Sequence, residues 1–399
     1  MTGPNLLTEI PVCLTSFRLF HFPVTADIEK AFLQINIEES DRDFLRFINE
    51  GTDFRFCRLP FGLTCSPAVL NSGLRLLYDS FESQYPDTVR RLRHCTYVDD
   101  VVTSFPDQKS LLQFRSESVE LFRLAGMNLR GWSSSPSKIL GVPYSYETDE
   151  LTLPLSRPAL ETAKATRREV LSYAASLFDP LGLWLPWTIR LRSLLQASWK
   201  ENLGWDDTSS SELEVSWLDL KREANQEREL RHPRCLQYIF GENSELHAFC
   251  DASQKAFATC VYLVSPDSSH LIYARSRVTP LKQLLTTPRA ELMAALLASR
   301  AVVMLTSKIP QLKGLPVFLW SDSTCVLGWL RGPPSRHQPF VRNRVTEIQK
   351  TDGLWFYVPS SDNPADAASR GISAQALNTS DLWSYGPSWV RLAITAFLF

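Results

Sequence analysis

From residue 245 onward the chain spells a plan that few folds satisfy. Three strand-like runs follow one another, "ELHAFCDAS", "QKAFATCVYLVS" and "HLIYARSRV", and then comes a long helical pattern over 287–307. The strand "PVFLWSDS", short helices, the strand "LWFYVP" and a last helical segment complete it. Three consecutive strands and then alternating helix and strand predict a mixed five-stranded sheet in an α/β domain. Four carboxylates fall at telling points of that plan: Asp251 ends the first strand, Glu291 lies in the first turns of the long helix, Asp322 ends "FLWSD", and Asp366 follows the last strand in "NPADAASR". Strand ends and helix starts are where an α/β sheet gathers a site. Singly, each acid is ordinarily a cap or turn residue. Together they match the oxygen ligands that two Mg²⁺ ions need, and such a pair can stabilise both the attacking and the leaving oxygen of a phosphodiester.

The first 155 residues have another texture. Residues 17–32, "FRLFHFPVTADIEKAF", predict a strand running into a turn or short helix at Asp27, and "DFRFCRLPF" (53–61) predicts a second strand. "SPAVLNSGLRLLYDSF" reads as a helix with Ser66 as cap and Pro67 at its first position. "CTYVDDVVTS" (95–104) reads as strand, tight turn and return strand, with Asp99 and Asp100 at the tip. Two carboxylates that close resist ionising together unless something positive is held beside them; the ordinary alternative is a plain turn. A helix over 107–127 stopping at Gly126, and a strand pair in "KILGVPYSYETDELTLPL" (138–155), give an α+β order. Residues 156–230, rich in Arg, Leu and Trp, carry long helical patterns interrupted at "DPLG" (179–182) and read as a helical connector. The expected organisation is therefore an α+β domain over 1–155, a connector over 156–240, an α/β domain over 241–375 and a tail over 376–399.

Composition narrows the partners only a little. Lys plus Arg number 42 against 43 for Asp plus Glu, so any nucleic-acid surface must be local. The eight cysteines contain no Cys-x-x-Cys pair, which suggests neither a zinc module nor a redox pair and fits a reducing compartment. The start "MTGPNLLTEI" lacks the basic and apolar regions of a signal peptide, and no apolar stretch approaches the ~18 residues of a membrane span. A cytoplasmic chain without a membrane partner is expected.

The segments "FCDAS", "RAELMA", "LWSDST" and "VPSSDNPADAASRG" resemble the ribonuclease H domain of long-terminal-repeat retroelements, and "SLFDPLGL", "RHQPFVRNRVTEI" and "DLWSYGPSWV" resemble the Pao/BEL group in particular. Upstream, "TADIEKAFLQI", "RLPFGLTCSP" and "TYVDD" resemble the palm of that group's reverse transcriptase. The resemblance spans about residues 3 to 390. It implies that Asp27, Asp99 and Asp100 hold two Mg²⁺ or Mn²⁺ ions around an incoming deoxynucleoside triphosphate and a primer end. Asp251, Glu291, Asp322 and Asp366 would hold two more for cleaving the RNA of an RNA–DNA hybrid. It also implies that Phe32 lies under the incoming sugar, excluding a ribose 2′-hydroxyl, with Phe61 and Gly62 of "LPFG" beside it. "KILG" (138–141) would support the primer end. Arg342 and Arg344, Arg167 and Arg168, and "RRLR" (90–93) are candidates for phosphate contacts along a primed RNA or DNA template, though a solvated helix face explains any one of them.

The chain departs from the family pattern in places. Only 26 residues precede Asp27, where the family carries a fingers subdomain that grips the triphosphate, and no integrase follows. A polyprotein fragment with an impaired polymerase is the expectation. The histidine that many ribonuclease H domains carry near their last acid is absent between Pro359 and Arg370, which bears on turnover more than on chemistry. The rival reading is a non-catalytic remnant that folds and binds nucleic acid. An integrase-type strand transferase would carry its glutamate last, whereas the order here is Asp, Glu, Asp, Asp.

Overall fold

Along Phe22–Ile28 (β1) Ala26 and Ile28 are buried while Thr25 and Asp27 are only half-buried, so the strand lays one face on a core and turns Asp27 away from it. The computed structural model describes residues 4, 6–155, 166–201, 204–207, 210–236, 244–281 and 285–391. The chain divides into two compact units, residues 1–140 and 141–399.

The first unit runs α1 (Ile10–Arg18), β1, β2 (Arg46–Asn49), β3 (Thr52–Arg55), α2 (Ser66–Phe81), α3 (Pro86–Cys95), β4 (Thr96–Tyr97), β5 (Asp100–Phe105), α4 (Gln108–Leu124), β6 (Leu129–Ser133) and β7 (Lys138–Ile139). An antiparallel sheet in the order β4-β5-β1-β6 carries the core, to which the strands give Val24, Ala26, Ile28 and Val101 and the helices give Leu70, Leu74, Val89 and Phe122. Helix α4 is fixed at both ends as its sequence requires. Asp107 accepts from the Ser110 amide at 2.8 Å, and at the far end Gly126 (φ 71°) lets the Met127 amide reach the Phe122 carbonyl at 2.9 Å.

Two local expectations are corrected. Ser66 does not cap α2: it is already helical, its hydroxyl donates to the Pro60 carbonyl at 2.8 Å, and Cys65 takes the cap position. The strand expected over 53–61 ends at Arg55 as one arm of the β2–β3 hairpin.

The second unit runs β8 (Val142–Ser145), β9 (Glu150–Pro154), α5 (Arg167–Ser176), α6 (Leu185–Lys200), α7 (Ser211–Glu227), β10 (Glu229–Pro233), β11 (Glu245–Ala252), β12 (Ala256–Ser265), β13 (Ser268–Val278), α8 (Thr287–Lys308), β14 (Val317–Ser321), α9 (Thr324–Arg331), α10 (Pro339–Ile348), β15 (Leu354–Tyr357), α11 (Ala365–Arg370), α12 (Ala374–Asn378) and α13 (Asp381–Tyr385). Its five-stranded sheet has the order β13-β12-β11-β14-β15. β11 pairs antiparallel with β12 and parallel with β14, and β14 pairs parallel with β15. Every residue of β12 is buried, so both faces of the sheet are covered, and α8 and α11 both pack on β11 and β12.

The helices read as a connector lie in this same unit. α6 packs on β13 and α11, and the chain reversal before it is pinned on the sheet. There Asp179 accepts from the Leu183 and Trp184 amides at 2.9 and 3.1 Å, and Gly182 (φ 73°) presses so close that a Cβ would stand 2.0 Å from the Ala274 carbonyl oxygen. Residues 156–165 and 237–243, where two of the expected boundaries fall, lie outside the described residues, as do 392–399 of the expected tail. Where the sequence reading found no apolar stretch of membrane length, α8 is one by length and composition; 67% of its apolar window is buried, as for the central helix of a packed core.

Candidate active sites

In the second unit, parallel pairing sets Cys250 of β11 against Ser321 of β14, so the next residues, Asp251 and Asp322, emerge side by side at the strand ends. Helix α8, packed on β11, brings Glu291 to them from its second turn. One carboxylate oxygen from each of Asp251, Glu291 and Asp322 lies within 4.8 Å of the others. Asp366, in the first turn of α11, stands outside this tight group, with its carboxylate paired to Arg370 one turn on, yet its charge reaches Asp251. Neighbouring groups fix the acids. The Ser360 hydroxyl donates to Asp322 Oδ2 at 2.6 Å, the Ser369 hydroxyl donates to Asp251 Oδ2, and the Asn363 amide ties the approach to α11 to the Cys250 carbonyl at 3.0 Å.

The electrostatics of this group are strained. Burial first, and then the charges of Asp251 and Asp322, push the Glu291 carboxyl up to about 8. Burial likewise raises Asp251 to about 6, with Asp322 and Asp366 adding to the rise. Glu291 Oε2 is buried and accepts no hydrogen bond from the described residues. An orphaned carboxylate oxygen facing two further acids is a poor arrangement for an apo protein and a fitting one for divalent cations, whose hard oxygen ligands these are. The donor set fits Mg²⁺ or Mn²⁺.

The palm acids lie across two strands of the first unit. In the β1–β5 register Asp27 is opposite Asp100, and the Ile28 amide donates to the Asp99 carbonyl at 2.9 Å. The register partner of Asp27 is thus Asp100, with Asp99 one residue away in the turn. Asp99 occupies the two-residue turn between the paired Tyr97 and Asp100. The residue before it, Val98, has φ 57°, a conformation in which glycine is favoured and a β-branched residue is strained. Burial raises Asp99, with Asp27 adding to it, and burial together with Asp99 and Asp27 raises Asp100 to about 6. Among the described residues these three do not gather as tightly as the acids of the second unit. Arg130, opposite Asp27 on β6, reaches its carboxylate at 3.7 Å and Glu29 at 2.8 Å. Phe32 is buried, its ring edge-on to the exposed Phe61 at 5.0 Å, and Gly62 follows with φ 88°, so the three candidates for the sugar pocket come together.

Sequence reasoning missed Arg130, Ser360, Ser369 and Arg370. The last three stand inside the quoted "VPSSDNPADAASRG", so their adjacency to the acids was in view, but a serine or arginine there looks like any cap or surface residue.

Comparison with known proteins agrees with this division. Residues 21–132 match the family described as reverse transcriptase (RNA-dependent DNA polymerase), and residues 166–323 match the Pao retrotransposon-like RNaseH-like domain. The first match takes in Asp27, Phe32, Phe61, Gly62, Asp99 and Asp100, and the second takes in Asp251, Glu291 and Asp322 but stops short of Asp366. A retrovirus-related Pol polyprotein from transposon gypsy of Drosophila melanogaster is 27% identical over an alignment of 160 residues, covering 36% of this chain and 15% of that protein. The foamy viral protease-reverse transcriptase in complex with RNA/DNA hybrid shares the fold at TM-score 0.59 and 15% identity, over 90% of this chain and 46% of that one. A second foamy viral structure, in complex with double-stranded DNA, gives TM-score 0.60 and 16% identity over 90% and 60%. The chain thus spans only part of the relatives it matches. The two matches, in this order and on this fold, support a reverse transcriptase–ribonuclease H segment of the Pao/BEL retrotransposon type.

Proposed function

We propose that the second unit hydrolyses the RNA strand of RNA–DNA hybrids and that the first carries the catalytic acids of an RNA-directed DNA polymerase. The observation that carries the reading is the unpartnered Glu291 Oε2 inside a cluster of three carboxylates at adjoining strand ends. Asp251, Glu291 and Asp322, with Asp366 beside them, would hold two Mg²⁺ or Mn²⁺ ions; Asp27, Asp99 and Asp100 would hold those of the polymerase. When bound, such ions neutralise charge on the attacking and leaving oxygens of a phosphodiester. The protein's own part is positional: Ser360 and Ser369 hold two of the carboxylates in fixed rotamers, and burial of Asp251 and Glu291 keeps bulk water from screening them. In the polymerase site Phe32, braced by Phe61, is the residue that would bar a 2′-hydroxyl. The nucleic acids in the foamy viral complexes support hybrid and duplex DNA as the substrate class.

The test is a labelled RNA–DNA hybrid and, separately, a primed template with four deoxynucleotides, each with Mg²⁺ or Mn²⁺. Hybrid cleavage is expected to fall by at least ~10²-fold in Asp322→Asn, since a metal-binding acid is lost. Primer extension, where present, is expected to vanish in Asp99→Asn while hybrid cleavage persists. Hybrid binding without cleavage, unchanged by Asp322→Asn, would instead favour a non-catalytic binding remnant.

A further inference from the structure

Where helix α6 ends, two tryptophan rings stand side by side in solvent. Trp199 is 48% exposed and Trp205 42%, their ring centres are 5.7 Å apart and their planes cross at 84°. The start of α5 holds both from behind. The Arg167 guanidinium lies over the Trp199 ring at 4.0 Å while it donates to the Ser198 carbonyl at 2.8 Å, and Arg167 is itself buried. The Arg168 amide donates to the Trp205 carbonyl at 3.1 Å, and the Arg168 side chain forks onto Asp206 at 2.7 and 2.9 Å. Among the described residues neither indole N–H has an acceptor. Rigid, half-exposed aromatic anchors with unused donors are what a recognition surface presents.

The surroundings narrow the occupant. Arg167 is buried and Arg168 is paired with Asp206, so neither arginine is open to a phosphate. Glu201, Asp206 and Asp207 balance Lys200, Arg167 and Arg168, so no net positive field draws a nucleic acid to the rings. The residues that flank the pair, Lys200, Glu201, Gly204 and Asp206, give no apolar shelf wide enough for an amphipathic helix. A slender, apolar segment that offers free carbonyls fits best.

We propose that Trp199 and Trp205 form a docking site for a proline-rich segment of a separate protein, bound in the polyproline II conformation. Such a helix makes no internal hydrogen bonds, so its carbonyls can accept from the two indole N–H groups while its pyrrolidine rings lie on the indole faces. Its rise of about 3.1 Å per residue puts alternate residues about 6 Å apart, close to the 5.7 Å between the rings. The segment is extended before it binds, so docking costs it little conformational entropy. The site depends on neither set of acids.

The test is fluorescence anisotropy of fluorescein-labelled decaproline titrated with the full chain, beside a labelled Gly-Ser peptide and a labelled oligothymidylate of equal length. Decaproline alone should bind saturably, with an affinity that changes less than about twofold between about 50 and about 200 mM KCl, because no charge pairs are made. Trp205→Ala should weaken it at least ~10-fold, as the loss of a central aromatic anchor does. Trp205→Phe, which keeps a ring and loses the N–H donor, should fall between. Tyr146→Ala, at an exposed ring between β8 and β9, should change nothing. Trp199 covers the buried Arg167, so Trp205→Ala, judged at unchanged melting temperature, decides the matter if Trp199→Ala misfolds. Failure of the wild-type chain to bind decaproline, or equal binding by Trp205→Ala, overturns the proposal. Oligothymidylate held in place of decaproline and released by Trp205→Ala would assign the rings to nucleic-acid bases and overturn it too. Self-association in sedimentation that Trp205→Ala abolishes, with no decaproline bound, would assign them to a second copy of this chain, and the peptide site would again fall.

Discussion

At the scale of single residues the second site is governed by Glu291. Its folded-state carboxyl sits at about 8, above its ordinary value of 4.5, so in the metal-free protein it is protonated at neutral pH. The sign follows: the metal-free protein loses stability as pH rises towards and through about 8, because the folded state must then carry a buried charge. A divalent cation needs the deprotonated acid, so its affinity should rise with pH across ~6 to ~8, by up to about tenfold per unit while one proton is displaced. Isothermal titration with Mg²⁺ at several pH values checks this, and a pH-independent affinity would sink it. Glu291→Gln should raise the metal-free melting temperature by removing a buried acid whose Oε2 has no partner among the described residues, and should erase the rise of Mg²⁺ affinity with pH. The four acids were legible in the sequence because each ends a strand or opens a helix. Their grouping was less so: Asp366 turns to Arg370, an i,i+4 partner that a reading centred on carboxylates passes over.

At the scale of elements the hairpin of β4 and β5 carries its own strain. Val98 holds a positive φ at the first turn position while its side chain packs on the core of the first unit. Alanine at this position would lose the packing and keep the strain, whereas glycine would lose the packing and relieve it. Gly at 98 should therefore be more stable than Ala, by about 1 kcal/mol, the reverse of an ordinary strand position. Urea denaturation of Val98→Gly and Val98→Ala checks the order, and Ala above Gly would refute the strained turn. The same scale shows what a sequence hides. β11 to β14 were readable because buried strands spell continuous apolar runs, as β12 does. The β2 arm of the β2–β3 hairpin escaped because its residues are all exposed, leaving no in-and-out alternation. Helix α1 escaped for the opposite reason, since Val12–Arg18 are all buried and show no polar stripe. β10, inside the expected connector, escaped because only Leu230 and His232 point inward.

For the whole molecule, two units with separate cores and separate acid sets imply two responses to one ligand. The tight cluster that an ion would relieve belongs to residues 141–399, where Asp251 and Glu291 are largely buried. The palm acids of residues 1–140 are more open, and Asp27 already has Arg130 near it. A ligand that binds only the native state stabilises by about 2.7 kcal/mol at one hundred times its dissociation constant. For a unit of this size each kcal/mol moves the melting temperature by roughly 2–4 °C, so the shift should be on the order of 5–10 °C. Calorimetry of the full chain should therefore resolve two transitions, of which saturating Mg²⁺ raises chiefly one. That shift should disappear in Asp322→Asn and survive in Asp99→Asn, because the first removes a ligand from the strained cluster and the second leaves that cluster whole. A shift that followed Asp99 would place the dominant metal site in the first unit. A single transition moving as a whole would mean that the two units share one cooperative unfolding, and the separate-core account would fall.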